Sequence, residues 1–179
     1  GVTNLDIPAY KSAYLAVIRR LYNAGVTELN GHMLYALAEE ESSAADAWLE
    51  RSGVAAAADE AAKALLAGNG KVAEDVLDGV ANTFLAAWQA DGGVTTLGDA
   101  VAEYMTFRLE EGVQLDMTVE EWTEFAKTAS WYSARAKAEE MGLDVSWSAE
   151  LARTPEGYYQ VQGGIPYAIA KSLAVAPFA

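Results

Sequence analysis

Apolar residues recur along most of this chain at the three-and-four spacing that lines one face of a helix. Over residues 7–21, Ile7, Tyr10, Tyr14, Val17, Ile18 and Leu21 share such a face. Pro8 falls in the first turn, where its missing N–H is not needed, and Gly25 stands just past the end. A second helix is expected over 30–51, with Met33, Leu37, Ala44 and Trp48 inward and Gly53 as terminator. The triplet Glu39, Glu40 and Glu41 would fan around that helix, so at most one of its carboxylates could face the core. Alanine-rich residues 54–67 read as a third helix, whose small side chains permit close approach and which closes on the Gly68-Asn69-Gly70 turn.

A fourth helix over 71–90 carries Val72, Val76, Val80, Phe84, Ala87 and Trp88 and stops at Asp91-Gly92-Gly93. A fifth covers 97–111 through Leu97, Val101, Tyr104 and Arg108, ending at Gly112. The sixth has the clearest start: Thr118 with Glu121 three residues on is a capping box, which satisfies two orphan amides reciprocally. Its inward face is Trp122, Phe125, Ala126, Ala129, Tyr132 and Ala136, and Gly142 is placed to end it.

After Gly142 the pattern changes. Residues 147–152 could make one or two helical turns, Thr154-Pro155-Glu156-Gly157 is turn chemistry, and 158–162 alternates like a short strand. Residues 163–179, in which Pro166 and Pro177 flank a mostly small, apolar run, read as a short helix or an extended arm. The expected fold class is therefore all-α: a bundle of about five to six helices over residues 1–145, with a partly extended C-terminal arm over 146–179. Tyr158, Tyr159, Tyr167, Ile169, Leu173 and Phe178 put apolar and aromatic surface into that arm, as a protein contact requires. Docking on the chain's own bundle and docking on a neighbour fit these residues equally.

Charge narrows the partners. Acidic residues outnumber basic ones 26 to 12, for a net charge of -14, so the average surface repels phosphate backbones and anionic lipid. Sequence-specific nucleic-acid binding and membrane association are not expected. The excess carboxylates serve as a solvated surface, or match a basic partner. Cysteine is absent, which removes disulfides, thiolate metal sites and cysteine nucleophiles. No run is long and apolar enough to suggest a transmembrane helix, and residues 1–6 lack the basic start of a signal peptide.

Catalytic and metal signatures are weak. His32 is the single histidine, and Glu28 lies one helical turn before it, a pair that could face one cavity if the helix began early enough. A surface histidine is the plainer reading. The carboxylate pairs, among them Glu74 with Asp78 and Glu120 with Glu121, read as helix-face charges, and Asp99 with Glu103 answers the positive end of a helix dipole. Gly68-Asn69-Gly70-Lys71 lacks the strand before it and the hydroxyl after its lysine that a phosphate loop needs. No catalytic residue, cofactor or metal is expected.

One stretch carries a family resemblance. Residues 72–92 form an acidic, alanine- and leucine-rich helix that closes on Trp88 a few residues before Gly92, and helical stretches 99–112 and 120–137, similar to a pair of long antiparallel helices, follow. In this, residues 70–140 resemble the head-tail connector (adaptor) proteins of tailed bacteriophages. The resemblance implies a non-enzymatic structural subunit, forming a homo-oligomeric ring at a portal-like protein partner and located in the virion. The alternative is a cytoplasmic acidic binding module, immunity- or antitoxin-like, for a basic partner. A third reading makes Glu28 and His32 an enzyme's site.

Overall fold

The computed structural model describes residues 1–29, 32–34, 42–68, 70–159 and 164–178. Helices form where an apolar stripe coincides with a start signal. Helix α1, Tyr10–Asn23, buries Ala13, Leu15, Ala16, Val17 and Leu21. The chain then folds back as a short antiparallel hairpin, β1 Glu28–Leu29 with β2 His32–Met33, pairing Glu28 with Met33 and Leu29 with His32. Helix α2, Ser43–Ser52, starts where the Ser42 hydroxyl accepts from the Ala45 amide at 3.2 Å, and ends at Gly53 in the left-handed conformation that favours glycine. Helix α3, Val54–Leu66, follows at once, and α4, Gly70–Gly92, is the longest.

These four helices enclose one core. The alanine face of α3 (Ala55, Ala58, Ala61 and Ala62) is buried, and its small side chains let α1 and α4 approach closely. The large side chains gather elsewhere in that core. Tyr10 meets Phe84 and Trp88 edge-on, with ring centroids 5.0 and 5.2 Å apart, and Trp48 meets Phe84 the same way at 5.9 Å. Each buried indole finds an acceptor: Trp88 Nε1 donates to the Pro8 carbonyl at 3.0 Å and Trp48 Nε1 to Asp91 Oδ2 at 2.7 Å.

A second lobe has its own core of Val101, Met105, Trp122, Ala134, Ala138 and Leu143. It comprises α5 Leu97–Glu110, α6 Val119–Ala126 and α7 Trp131–Glu140. Thr96, Thr118 and Ser130 cap the three helices through their hydroxyls, and at α6 the capping box with Glu121 is complete. Gly98 brings α5 against α6: a Cβ there would stand 3.0 Å from that of Ala126, and Trp122 Nε1 donates to the Gly98 carbonyl at 2.8 Å.

The all-α class holds, with two local corrections. Within the expected helix over 30–51, His32–Met33 is instead a strand and the described helix begins only at Ser43, behind the Ser42 cap; residues 30, 31 and 35–41, Leu37 among them, lie outside the described residues. Ala44 is accordingly exposed and Ala45 buried, and Glu39, Glu40 and Glu41 lie outside the described residues. The expected single helix after Thr118 breaks at 127–130, where the Ser130 hydroxyl accepts from the Ser133 amide at 3.1 Å and starts α7. The restart changes the helical phase, so Tyr132 and Ala136 face solvent while Ala134 and Ala138 are buried.

Beyond α7, a short 3-10 turn at Glu150–Ala152 returns to α1, and Ala152 joins the first core. The strand expected over 158–162 is present as one bridge, between Arg153 and Tyr159, and residues 160–163 lie outside the described set. Helix α8, Ile165–Val175, and a 3-10 turn at Ala176–Phe178 complete the fold. Among the described residues no helix is long and apolar enough to cross a membrane.

Candidate interaction surface at the C-terminal helix

Helix α8 is set up by Gly164, whose φ of 125° suits glycine, and by a proline in the first turn. Its sequence offers only Lys171 and Ser172 as polar positions, so it has no hydrophilic face. Every described side chain on it is exposed, including Ile165 at 76%, Leu173 at 68%, and Tyr167 and Ile169. Phe178 just beyond is 88% exposed. The one element that packs substantially on α8, among the described residues, is the turn that follows it. An isolated helix of this length is marginal in water, and a helix apolar all round belongs in an interior.

The arm's other two aromatics differ from these. Tyr158 is exposed, whereas Tyr159 is tied back on its own chain: its hydroxyl donates to Glu150 Oε1 at 2.7 Å, and the Arg153 guanidinium lies 5.2 Å from its ring centroid. That hydrogen bond to a carboxylate raises the Tyr159 pKa above the ordinary phenol range. The Thr154–Tyr158 turn is closed by the Thr154 amide donating to the Tyr158 carbonyl at 2.6 Å. Of the six residues expected to form a contact, Tyr167, Ile169, Leu173 and Phe178 thus share one uncovered helix and its extension, and the two tyrosines precede it. Ile165 and Val175 belong with them as further exposed apolar side chains on the same helix.

Elsewhere, some of the described polar side chains hold the fold. Arg20 donates to both oxygens of Asp59, at 2.6 and 2.8 Å, and to Glu50 at 2.6 Å. This fork lowers the Asp59 pKa and raises that of Arg20. The helical relation that would have stacked Glu28 and His32 is absent, because the hairpin register pairs Glu28 with Met33 and His32 with Leu29. Among the described residues no cluster of histidine and carboxylate side chains could hold a metal ion. A groove of about 340 Å³ between α1 and α4 is walled mainly by apolar side chains, including Val17, Leu21, Leu77, Val80 and Phe84, with Asp78 and Asn82 at its edge.

Fold and surface together define a mostly helical protein of two small lobes that leaves an apolar helix uncovered. Known proteins supply the family. Residues 56–179 match the model of the isocitrate lyase family. Over all 179 residues the chain is 52% identical to isocitrate lyase 2 of Mycobacterium tuberculosis and to that of Mycobacterium bovis, and it spans 23% of the length of each. An 84-residue stretch, 47% of this chain and 21% of the relative, is 61% identical to a further M. tuberculosis protein, which is named as an isocitrate lyase subunit. The chain belongs to the isocitrate lyase family.

This overturns the connector reading, and with it the non-enzymatic role, the portal-like partner and the virion location. It equally overturns the immunity- or antitoxin-like alternative. The features behind the resemblance have a local cause. Trp88 is fully buried and bonded to Pro8, and Gly92 packs closely, since a Cβ there would stand 3.1 Å from Ile7 Cδ1 and 3.3 Å from Val2 Cγ1. A tryptophan followed by a glycine is how this helix end packs, and many helical bundles can arrive at it independently.

Proposed function

We propose that this chain is a helical portion of an enzyme that cleaves isocitrate, and that it joins the remainder of that enzyme through α8. The carrying observation is the 52% identity across every residue to proteins named isocitrate lyase 2, of which the chain spans 23%. Such coverage places most of the relative's length outside the matched segment. An apolar helix with no hydrophilic side suits burial against that additional protein. In this reading Tyr167, Ile169, Leu173 and Phe178 anchor the arm, Tyr158 flanks it, and Tyr159 steadies its base through Glu150. The expected division at residue 145 belongs to the same proposal in narrower form: 164–178 is the anchoring part, while Ala152 packs with the first lobe. The protein that receives the arm is the rest of the lyase, on the same polypeptide or on a companion polypeptide; that the 61% identical relative is named as a subunit supports the second form.

Electrostatics bear on where isocitrate would sit. Isocitrate is a tricarboxylate and needs cationic groups, while this chain carries 26 acidic residues against 12 basic. Its Arg20 is already held by Asp59 and Glu50, and the α1–α4 groove has Asp78 at its edge. These features support a substrate site built by residues beyond this portion. The test is isocitrate consumption by the purified protein carrying this chain. Turnover supports the proposal; a protein that assembles fully and leaves isocitrate intact refutes it.

A further inference from the structure

The two lobes are joined by backbone. The chain leaves the first lobe over residues 92–96 and returns over 144–149, and among the described residues no helix of α1–α4 packs substantially against α5–α7. Residues 1–4 lie between these two crossings and bond to both. Val2 pairs with Ser148 on one side, through Val2 N to Ser148 O at 2.9 Å and Ser148 N to Val2 O at 2.8 Å. On the other side Val2 bridges to Val94, and the Gly1 nitrogen and carbonyl exchange hydrogen bonds with Thr95 at 3.0 and 3.1 Å. The Thr3 and Asn4 amides both donate to the Gly92 carbonyl, at 3.1 and 3.0 Å. Their side chains add bonds to Gly93 O at 2.9 Å and Asp91 O at 2.8 Å.

Side chains are shaped to this crossing. Trp147 lies over Gly1 so closely that a Cβ there would fall 2.1 Å from its ring, and its Nε1 donates to the same Thr95 carbonyl that Gly1 uses, at 3.0 Å. A Cβ at Gly93 would displace the Thr3 hydroxyl, which would stand 2.4 Å away. Val2 itself is fully buried and belongs to the first core, so the strap is rooted in one lobe while it grips the neck of the other. Trp147 also borders a small cleft with Leu97, Val101, Trp131 and Arg135 of the second lobe.

We infer that residues 1–4 and Trp147 form a clasp that fixes the orientation of the 97–143 lobe, and that opening it frees this lobe to move as a unit on two flexible crossings. Each lobe encloses its own core, so release exposes the neck without dissolving either. The inference does not depend on which reaction the protein catalyses.

Amide hydrogen exchange of Trp147→Ala, Gly1→Ala and Thr3→Val, each against the unaltered chain, tests it. The clasp predicts that the amides of Val2, Thr95 and Ser148 exchange at least tenfold faster in the first two variants and about threefold faster in Thr3→Val, with α3 and α5 changed by less than twofold. The chain's lack of cysteine also permits spin labels at Lys63→Cys and Lys127→Cys, one on each lobe, whose distance distribution should broaden in Trp147→Ala. Neck exchange unchanged in all three variants would overturn the inference. So would acceleration spread equally over both cores, or loss of all helix in Trp147→Ala, since the clasp requires lobes that stay folded without it.

Discussion

Helices α3 and α8 are both short and rich in alanine, yet one is a keystone of its lobe and the other stands uncovered. In α3 the buried positions Ala55, Ala58, Ala61 and Ala62 are opposed by Asp59, Glu60 and Lys63, so the helix has one side for the core and one for water. Helix α8 spaces Ile165, Ile169 and Leu173 along one side and Tyr167 and Ala174 on another, and its two polar residues do not make a face. What separates them is the polar side rather than the apolar one. A helix that lies on its own bundle must still meet solvent, whereas a helix lacking any solvent side needs enclosure by something else.

The largest contrast should come from deleting a ring in each region. Trp88→Ala empties a fully buried site and leaves the Pro8 carbonyl without its donor, for an expected loss of roughly 3–5 kcal/mol. Phe178→Ala, at a side chain 88% exposed, should change urea-unfolding stability of this chain by less than about 0.5 kcal/mol. Comparable losses from the two would erase the distinction.

Adding volume gives a smaller, matched pair. Ala58→Leu forces a larger side chain into the fully buried face of α3, and about 1–3 kcal/mol of destabilisation is expected. Ala170→Leu on exposed α8 should leave the thermal midpoint of this chain within the few degrees that correspond to about 0.5 kcal/mol. In the proposed assembly the second substitution should become costly, because the enclosure would then be in place.

The polar side of α3 gives the smallest effect and a pH signature. Arg20 holds the Asp59 carboxyl below its ordinary value, so the pair's stabilisation is complete above the unfolded value of about 3.9 and fades as pH falls through the lower folded value. Asp59→Asn should cost about 0.5–1 kcal/mol at neutral pH, the range of a partly exposed ion pair. Its unfolding curve should converge on that of the unaltered chain at the acid end. A penalty independent of pH would mean that Asp59 acts by shape alone.

Much of the fold was legible in the sequence. Helix α3 was expected over 54–67 and runs Val54–Leu66, α4 was expected over 71–90 and runs Gly70–Gly92, and the Thr118 capping box starts α6 as its spacing requires. These elements have long apolar stripes or an unambiguous cap. The helix after Thr118 was read as continuous because Ser130 restarts it inside a continuing pattern, and a cap can overrule periodicity without disturbing the count of apolar residues. The hairpin also has a marker in the sequence. Asn30-Gly31, between the two strands in sequence, is the dipeptide most suited to a two-residue turn.

The arm's apolar character was readable too, but not what it belongs to. Local composition around Trp88 and Gly92 reflects how one helix end packs, and that packing carries no information about activity. Among the described residues, the Arg20 fork, the helix caps and the indole donors serve the fold, and it is identity along the whole chain that carries the family.

The most direct test of the account joins α8 to activity. Ile169→Asp combined with Leu173→Asp, introduced into the protein carrying this chain, leaves the packed lobes untouched, because both side chains are exposed. The prediction is unchanged helical circular dichroism, weakened association with the rest of the enzyme by native mass, and isocitrate consumption reduced at least tenfold. Full assembly and undiminished isocitrate consumption in the double variant would contradict the claim that this helix fastens the chain to an isocitrate lyase.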